Sequence, residues 1–87
     1  MTYVYKYPLA IQQSQFVTVP LGAEFLTAQA QHEGICLWAL VTPSQKEERR
    51  FIEVFGTGHT MPPASRDYIG TVQLEGGSLI FHVFERR

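Results

Sequence analysis

The sequence predicts an all-β fold, a small and strongly bent antiparallel barrel or sandwich of about seven short strands. Two observations carry this: β-branched and aromatic residues gather in short runs bounded by turn residues, and helical periodicity is almost absent. A third narrows it. The runs Ile35 to Val41 and Ser78 to Glu85 are apolar on both faces, whereas a sheet with one solvated face alternates apolar and polar residues. Both faces of these strands therefore need cover, from the N-terminal strands or from another subunit.

The first run, Tyr3 to Pro8, puts Tyr3, Tyr5 and Tyr7 on one face by period-two alternation. Such a stripe packs on a core or a neighbouring subunit, or stacks bases. Phe16 to Val19 and Glu24 to Gln31 follow as the second and third strands. His32-Glu33-Gly34 reads as a tight hairpin turn into Ile35 to Thr42, with glycine supplying positive φ. Ser44 and Glu47 have capping-box spacing after Pro43, which supports at most one helical turn, and Ser44 to Arg49 reads as a solvated hairpin loop. Arg50 to Phe55, Tyr68 to Leu74 and Ser78 to Glu85 complete the set, the last two joined by a tight turn at Glu75-Gly76-Gly77. Trp38, Leu40, Phe55, Val72, Phe81 and Val83 are the expected core.

At 87 residues the chain has room for one domain, 1–87, and a chain this short buries only ~60–65% of its extended surface. With no disulfide or metal staple, a homo-oligomer is the expected route to stability. The lone Cys36 has no intramolecular partner, so a reducing compartment fits better than secretion. The N-terminus lacks a signal-peptide layout, and the longest apolar run, Ile35 to Val41, is far too short for a bilayer span. A soluble, intracellular protein with no membrane partner is expected. A net charge of −1 argues against double-stranded DNA as a partner but leaves a local basic patch, and RNA, open.

No catalytic constellation is legible. There is no Gly-x-Ser-x-Gly elbow, and Asp67 is the only aspartate available to a Ser-His-Asp arrangement. Glu47 and Glu48 are adjacent, so their side chains diverge. Cys36, mid-strand beside Trp38, reads as a buried small hydrophobe rather than a nucleophile. His32, His59 and His82 fall into no metal-binding spacing, so neither a metal nor a cofactor is expected.

The best candidate site is Gly56-Thr57-Gly58-His59. Two glycines free the backbone to aim consecutive amides at one anion, and Thr57 and His59 add donors, which suits a phosphate or carboxylate. It is not a Walker loop, since no Gly-Lys-Ser/Thr follows, and Pro62-Pro63 precludes a supporting helix. The bland alternative is that the glycines only turn the chain. His82, on an apolar strand, is either a satisfied core or interface histidine or faces a pocket as a hydrogen-bonding group.

The strings YKYPL at Tyr5 to Leu9, CLWALV at Cys36 to Val41, FGTGH at Phe55 to His59, YIGT at Tyr68 to Thr71 and GGSLIFHVFE at Gly76 to Glu85 resemble a family of small uncharacterised bacteriophage-encoded proteins. That resemblance implies action in the cytoplasm of an infected bacterial host. It also implies a shape similar to Sm-like or SH3-like small barrels, which assemble through strand edges. The chain lacks the Sm RNA-binding signatures, so RNA binding does not carry over from the shape. The expected function is a non-catalytic binding module taking a small anionic or nucleotide-like ligand at Gly56 to His59. Its alternatives are a protein-interaction module that adds a strand to a host or phage partner, and a small hydrolase.

Overall fold

A computed structural model describes residues 1–87. Seven strands account for most of the chain: β1 (Tyr3–Leu9), β2 (Ser14–Pro20), β3 (Glu24–Gln31), β4 (Gly34–Val41), β5 (Glu47–Gly56), β6 (Arg66–Leu74) and β7 (Leu79–Arg86). The only helical element is a single 3-10 turn, Glu75–Gly77. The strands form two antiparallel sheets, β1-β4-β3 and β2-β5-β7-β6. They stack as two layers, and the shortest Cα dimension, 16 Å, matches sheets packed ~10 Å apart.

Alternation decides what each face buries. Ile35, Leu37, Ala39 and Val41 of β4 point at the second sheet, where Ile52, Val54, Val72 and Val83 meet them with Val19. A fully buried Leu, Ile or Val side chain stabilises the fold by ~1.5–3 kcal/mol, and this cluster is the main cohesive element. Of the expected core, Phe55, Val72 and Val83 are buried, while Trp38, Leu40 and Phe81 are only half-buried. Trp38 and Leu40 fall on the face of β4 that points away from the second sheet. They have strand neighbours beside them and only Lys6 stacked on Trp38, its Nζ 5.9 Å from the ring centroid. Cys36 shares that face and is buried there, its thiol 3.7 Å from the Gln31 amide oxygen.

The N-terminal strands do not lie over a neighbour's second face. β1 and β2 part company, each ending a different sheet. β2 is longer than Phe16 to Val19, and β5 begins three residues before Arg50, because Thr18, Val19 and Pro20 pair with Arg49, Glu48 and Glu47. Ser44 to Arg49 is thus half loop and half strand. Glu48 accepts the Gly22 amide at 3.1 Å, which ties the β2–β3 turn to the new strand.

Both expected hairpins form. At the β3–β4 turn the positive φ values belong to His32 (51°) and Glu33 (61°), and Gly34 is already in β4 opposite Gln31. Two central residues with φ > 0 define a tight hairpin turn whose twist matches the strands, so non-glycine residues accept the conformation here. The β6–β7 turn runs through Glu75, Gly76 and Gly77, all at positive φ.

The sheets close on each other along one side. β3 has a bulge between Phe25 and Thr27 and β6 one between Tyr68 and Gly70, and bulges bend and twist strands. At the meeting point Gly70 abuts β3 so tightly that a Cβ there would lie 2.9 Å from both the nitrogen and the oxygen of Ala28. Between the layers near the start of β5, Arg50 forms a paired ion bridge with Glu85, one arm Nη2 to Oε1 at 2.8 Å, donates to the Ala23 carbonyl at 2.8 Å and stacks on Phe25. The hydrogen bonds that Arg50 donates to Glu85 hold it above its usual pKa despite burial. No helix is long and apolar enough to cross a membrane.

Candidate functional site

Gly56 ends β5, and the chain reverses immediately. The His59 amide donates to the Gly56 carbonyl at 3.0 Å, closing a four-residue turn whose third position, Gly58, has φ +84°. That position needs positive φ, which glycine adopts without steric cost. The Thr57 amide donates to the Ile80 carbonyl at 3.2 Å, extending the ladder to β7 by one rung. The Thr57 and His59 amides are both engaged, so no row of consecutive free amides forms across Gly56 to His59.

Gly56 has a different reason to be glycine. The imidazole of His59 folds back over it, and a Cβ at position 56 would lie 2.8 Å from Cε1 and 3.0 Å from Nδ1 of that ring. The ring takes the volume of the missing side chain. Because Gly56 pairs with Phe81 and is two residues beyond Val54, the ring sits on the inner side of the sheet, at the end of the sandwich away from Arg50. Clefts of about 280 Å³ and 210 Å³ flank it. The larger is lined by the Ile11-Gln12-Gln13 segment and Thr60, the smaller by Thr57, Ser78 and Leu79, and both share Gly56, His59 and Phe81. Neither cleft is lined by a lysine or arginine.

His82 points the other way. It pairs with Phe55, on the outer face of the four-stranded sheet, where its Nε2 is 2.7 Å from the Thr57 hydroxyl and its Nδ1 is 3.0 Å from that of Thr71. Thr71 is in turn 2.5 Å from the Tyr68 hydroxyl. This chain resembles a nucleophile and base, but the group beyond the imidazole is a hydroxyl and not a carboxylate, so nothing offsets the charge of an imidazolium. The candidate residues thus divide: Gly56 and His59 wall both clefts, Thr57 lines the smaller one while its hydroxyl bonds His82 on the opposite face, and Gly58 shapes the turn between them.

The chain belongs to the family described as Domain of unknown function (DUF7352), whose model matches residues 1–87. No curated protein and no solved structure matches it. Family membership therefore brings no assigned ligand, and the residues themselves must carry the reading.

Sequence reasoning did not find Gln12, Gln13, Phe81 or Thr60 as cleft residues. The pair Gln12-Gln13 was visible as a polar break between two strands, but only the fold brings it to β5, where the Val54 amide donates to the Gln13 carbonyl at 2.9 Å. The tyrosine stripe forms as alternation requires. Tyr3 and Tyr5 are exposed with ring centroids 6.0 Å apart, while Tyr7 packs half-buried against the core.

Proposed function

We propose that the chain is a non-catalytic binding module whose ligand is a small nucleotide-like molecule seated beside His59. One observation carries the reading: the His59 ring lies over a glycine that leaves it room, and it stands between two clefts that share it as a wall. A planar heterocycle stacks on an imidazole or on Phe81, and Gln12, Gln13 and Thr60 supply the polar contacts that fix orientation. An anionic group on the ligand finds its donors in His59 and the Gly58 amide, since the clefts bring no arginine. A thermal-shift screen of nucleotides tests this, because a ligand that binds the native state raises its melting temperature. A compound that stabilises the parent but not His59→Ala supports the site. Equal shifts in both place the ligand elsewhere.

Strand addition is the second reading, favoured by the sheet edges: β1 and β2 each end a sheet, so one side of each has no strand partner. Pro8 and Pro20 lack amides near the ends of these strands, which leaves Tyr3 to Tyr7 as the better template. Self-association is part of the proposal, with Val4, Trp38 and Leu40 on the outer face of the three-stranded sheet as the contact. On the resemblance to phage proteins, the place of action is the cytoplasm of an infected bacterium.

A further inference from the structure

The outer face of the four-stranded sheet carries a mosaic of rings and guanidinium groups that the His59 clefts do not use. Alternation sends Arg49, Phe51, Glu53 and Phe55 of β5 to this face, and Phe16 of β2 stands opposite Phe51. Rings and cations touch in sequence. The Arg49 guanidinium lies 4.3 Å from the Phe16 ring centroid, Phe16 lies 5.1 Å from Phe51, and Arg86 lies 6.0 Å from Phe51. Further across, Arg66 stacks on Phe55 at 5.0 Å, and the row runs through Phe84 to Tyr68, 5.5 Å away.

The charges on this face are unequal. Glu53 is the carboxylate within the row, and it is 5% exposed and already engaged by Arg66 at 2.7 Å and Arg86 at 3.8 Å. Glu47 lies beyond Arg49 at the start of the strand. Arg66 and Arg86 therefore share one spent carboxylate and Arg49 pairs with none, on a chain whose net charge is −1. Arg66 also holds a buried donor, Nη2, with no hydrogen-bond partner, in a side chain only 8% exposed. At opposite ends of the row, Phe16 is 55% and Tyr68 60% exposed, large for rings that neighbours could have covered.

We propose that this face binds single-stranded nucleic acid, with bases stacked on Phe16 and Tyr68 and phosphates paired with Arg49 and Arg86. The charge pattern selects this occupant. A second copy of the chain would set like charges against like, and a duplex keeps its bases stacked on each other and away from the rings. A strand with free bases and one negative charge per nucleotide satisfies rings and guanidinium groups together, and arginine on an aromatic face is pre-positioned for both.

Fluorescence anisotropy with a labelled oligothymidylate of about a dozen nucleotides tests the proposal at low salt. The parent binds it more tightly than a duplex of equal length. Phe16→Ala and Tyr68→Ala, both at exposed rings and checked for an unchanged melt, each weaken binding by about tenfold or more. Arg49→Gln, at an arginine with no carboxylate partner, weakens it and flattens the salt slope by about 0.7. The parent failing to bind overturns the proposal, as does binding that ignores both ring substitutions. So does a face whose ring substitutions change the oligomeric state while the oligonucleotide is ignored, since that marks a protein interface.

Discussion

The imidazole of His59 occupies the volume that a side chain at Gly56 would fill, so the two positions share one space at the mouth of the sandwich. Substituting either one acts on the other. Gly56→Ala must push the ring off the strand, because 2.8 Å is closer than a carbon contact permits. The ring is exposed and flexible, so the expected loss is about 1 kcal/mol or less, and His59→Ala in the same chain should recover it. Residues in contact give coupling energies of roughly 0.5–3 kcal/mol in a double-mutant cycle. Urea melts of the two single variants and the double variant measure this, and strict additivity would show that the ring does not depend on the glycine.

Gly70 is the contrasting case. Its neighbour is the backbone of Ala28, which cannot swing aside, and the contact is where β6 meets β3. Gly70→Ala should cost about 1–3 kcal/mol or more through overpacking, in a fold whose whole reserve is roughly 5–15 kcal/mol. An unchanged denaturation midpoint would mean that the two sheets are not wedged together at this point.

Leu37 and Leu40 separate burial from association. Leu37 is fully buried, and Leu37→Ala should destabilise by about 2–5 kcal/mol. Leu40 lies on the opposite face of the same strand and is half-buried, so Leu40→Ser should cost much less but should shift self-association, if the outer face of the three-stranded sheet is the contact. Light scattering on the parent and Leu40→Ser tests that surface. Equal masses for the two remove it as the contact.

These two leucines show what the sequence could convey. Alternation placed all seven strands and both hairpins, because period-two patterning and turn residues are local signals. It marks β4 as apolar on both faces, but it cannot say which face meets the other sheet, and so Trp38 and Leu40 read as core while Ile35 and Leu37 form it. The candidate loop was legible from its glycines. The partners that make it a cleft were not, since Gln12, Gln13 and Phe81 reach it through sheet pairing between distant segments. The ring and guanidinium row was not legible, because Arg49 and the charged residues at its start read as loop and the strand reads only from Arg50.

Tyr7 gives the fold an alkaline sensitivity. Burial, and then the negative charges that Tyr5 and Glu47 present, raise its pKa above the usual 10.0. The fold thus favours the neutral phenol, and the stability this brings is complete below pH 10.0 and is lost as pH rises through the raised pKa. Melting temperatures followed into the alkaline range should fall more steeply for the parent than for Tyr7→Phe. Parallel curves would show that Tyr7 is not the group responsible.

The central claim is that His59 walls a ligand site, and isothermal calorimetry tests it most directly. Parent and His59→Ala are titrated with nucleotides, cyclic dinucleotides and ADP-ribose derivatives. The account predicts that at least one binds the parent and that removing the ring weakens it by about tenfold or more, equivalent to about 1.4 kcal/mol, with the melting temperature nearly unchanged. Indistinguishable isotherms for parent and variant, or no binding by any member of the panel, would contradict it.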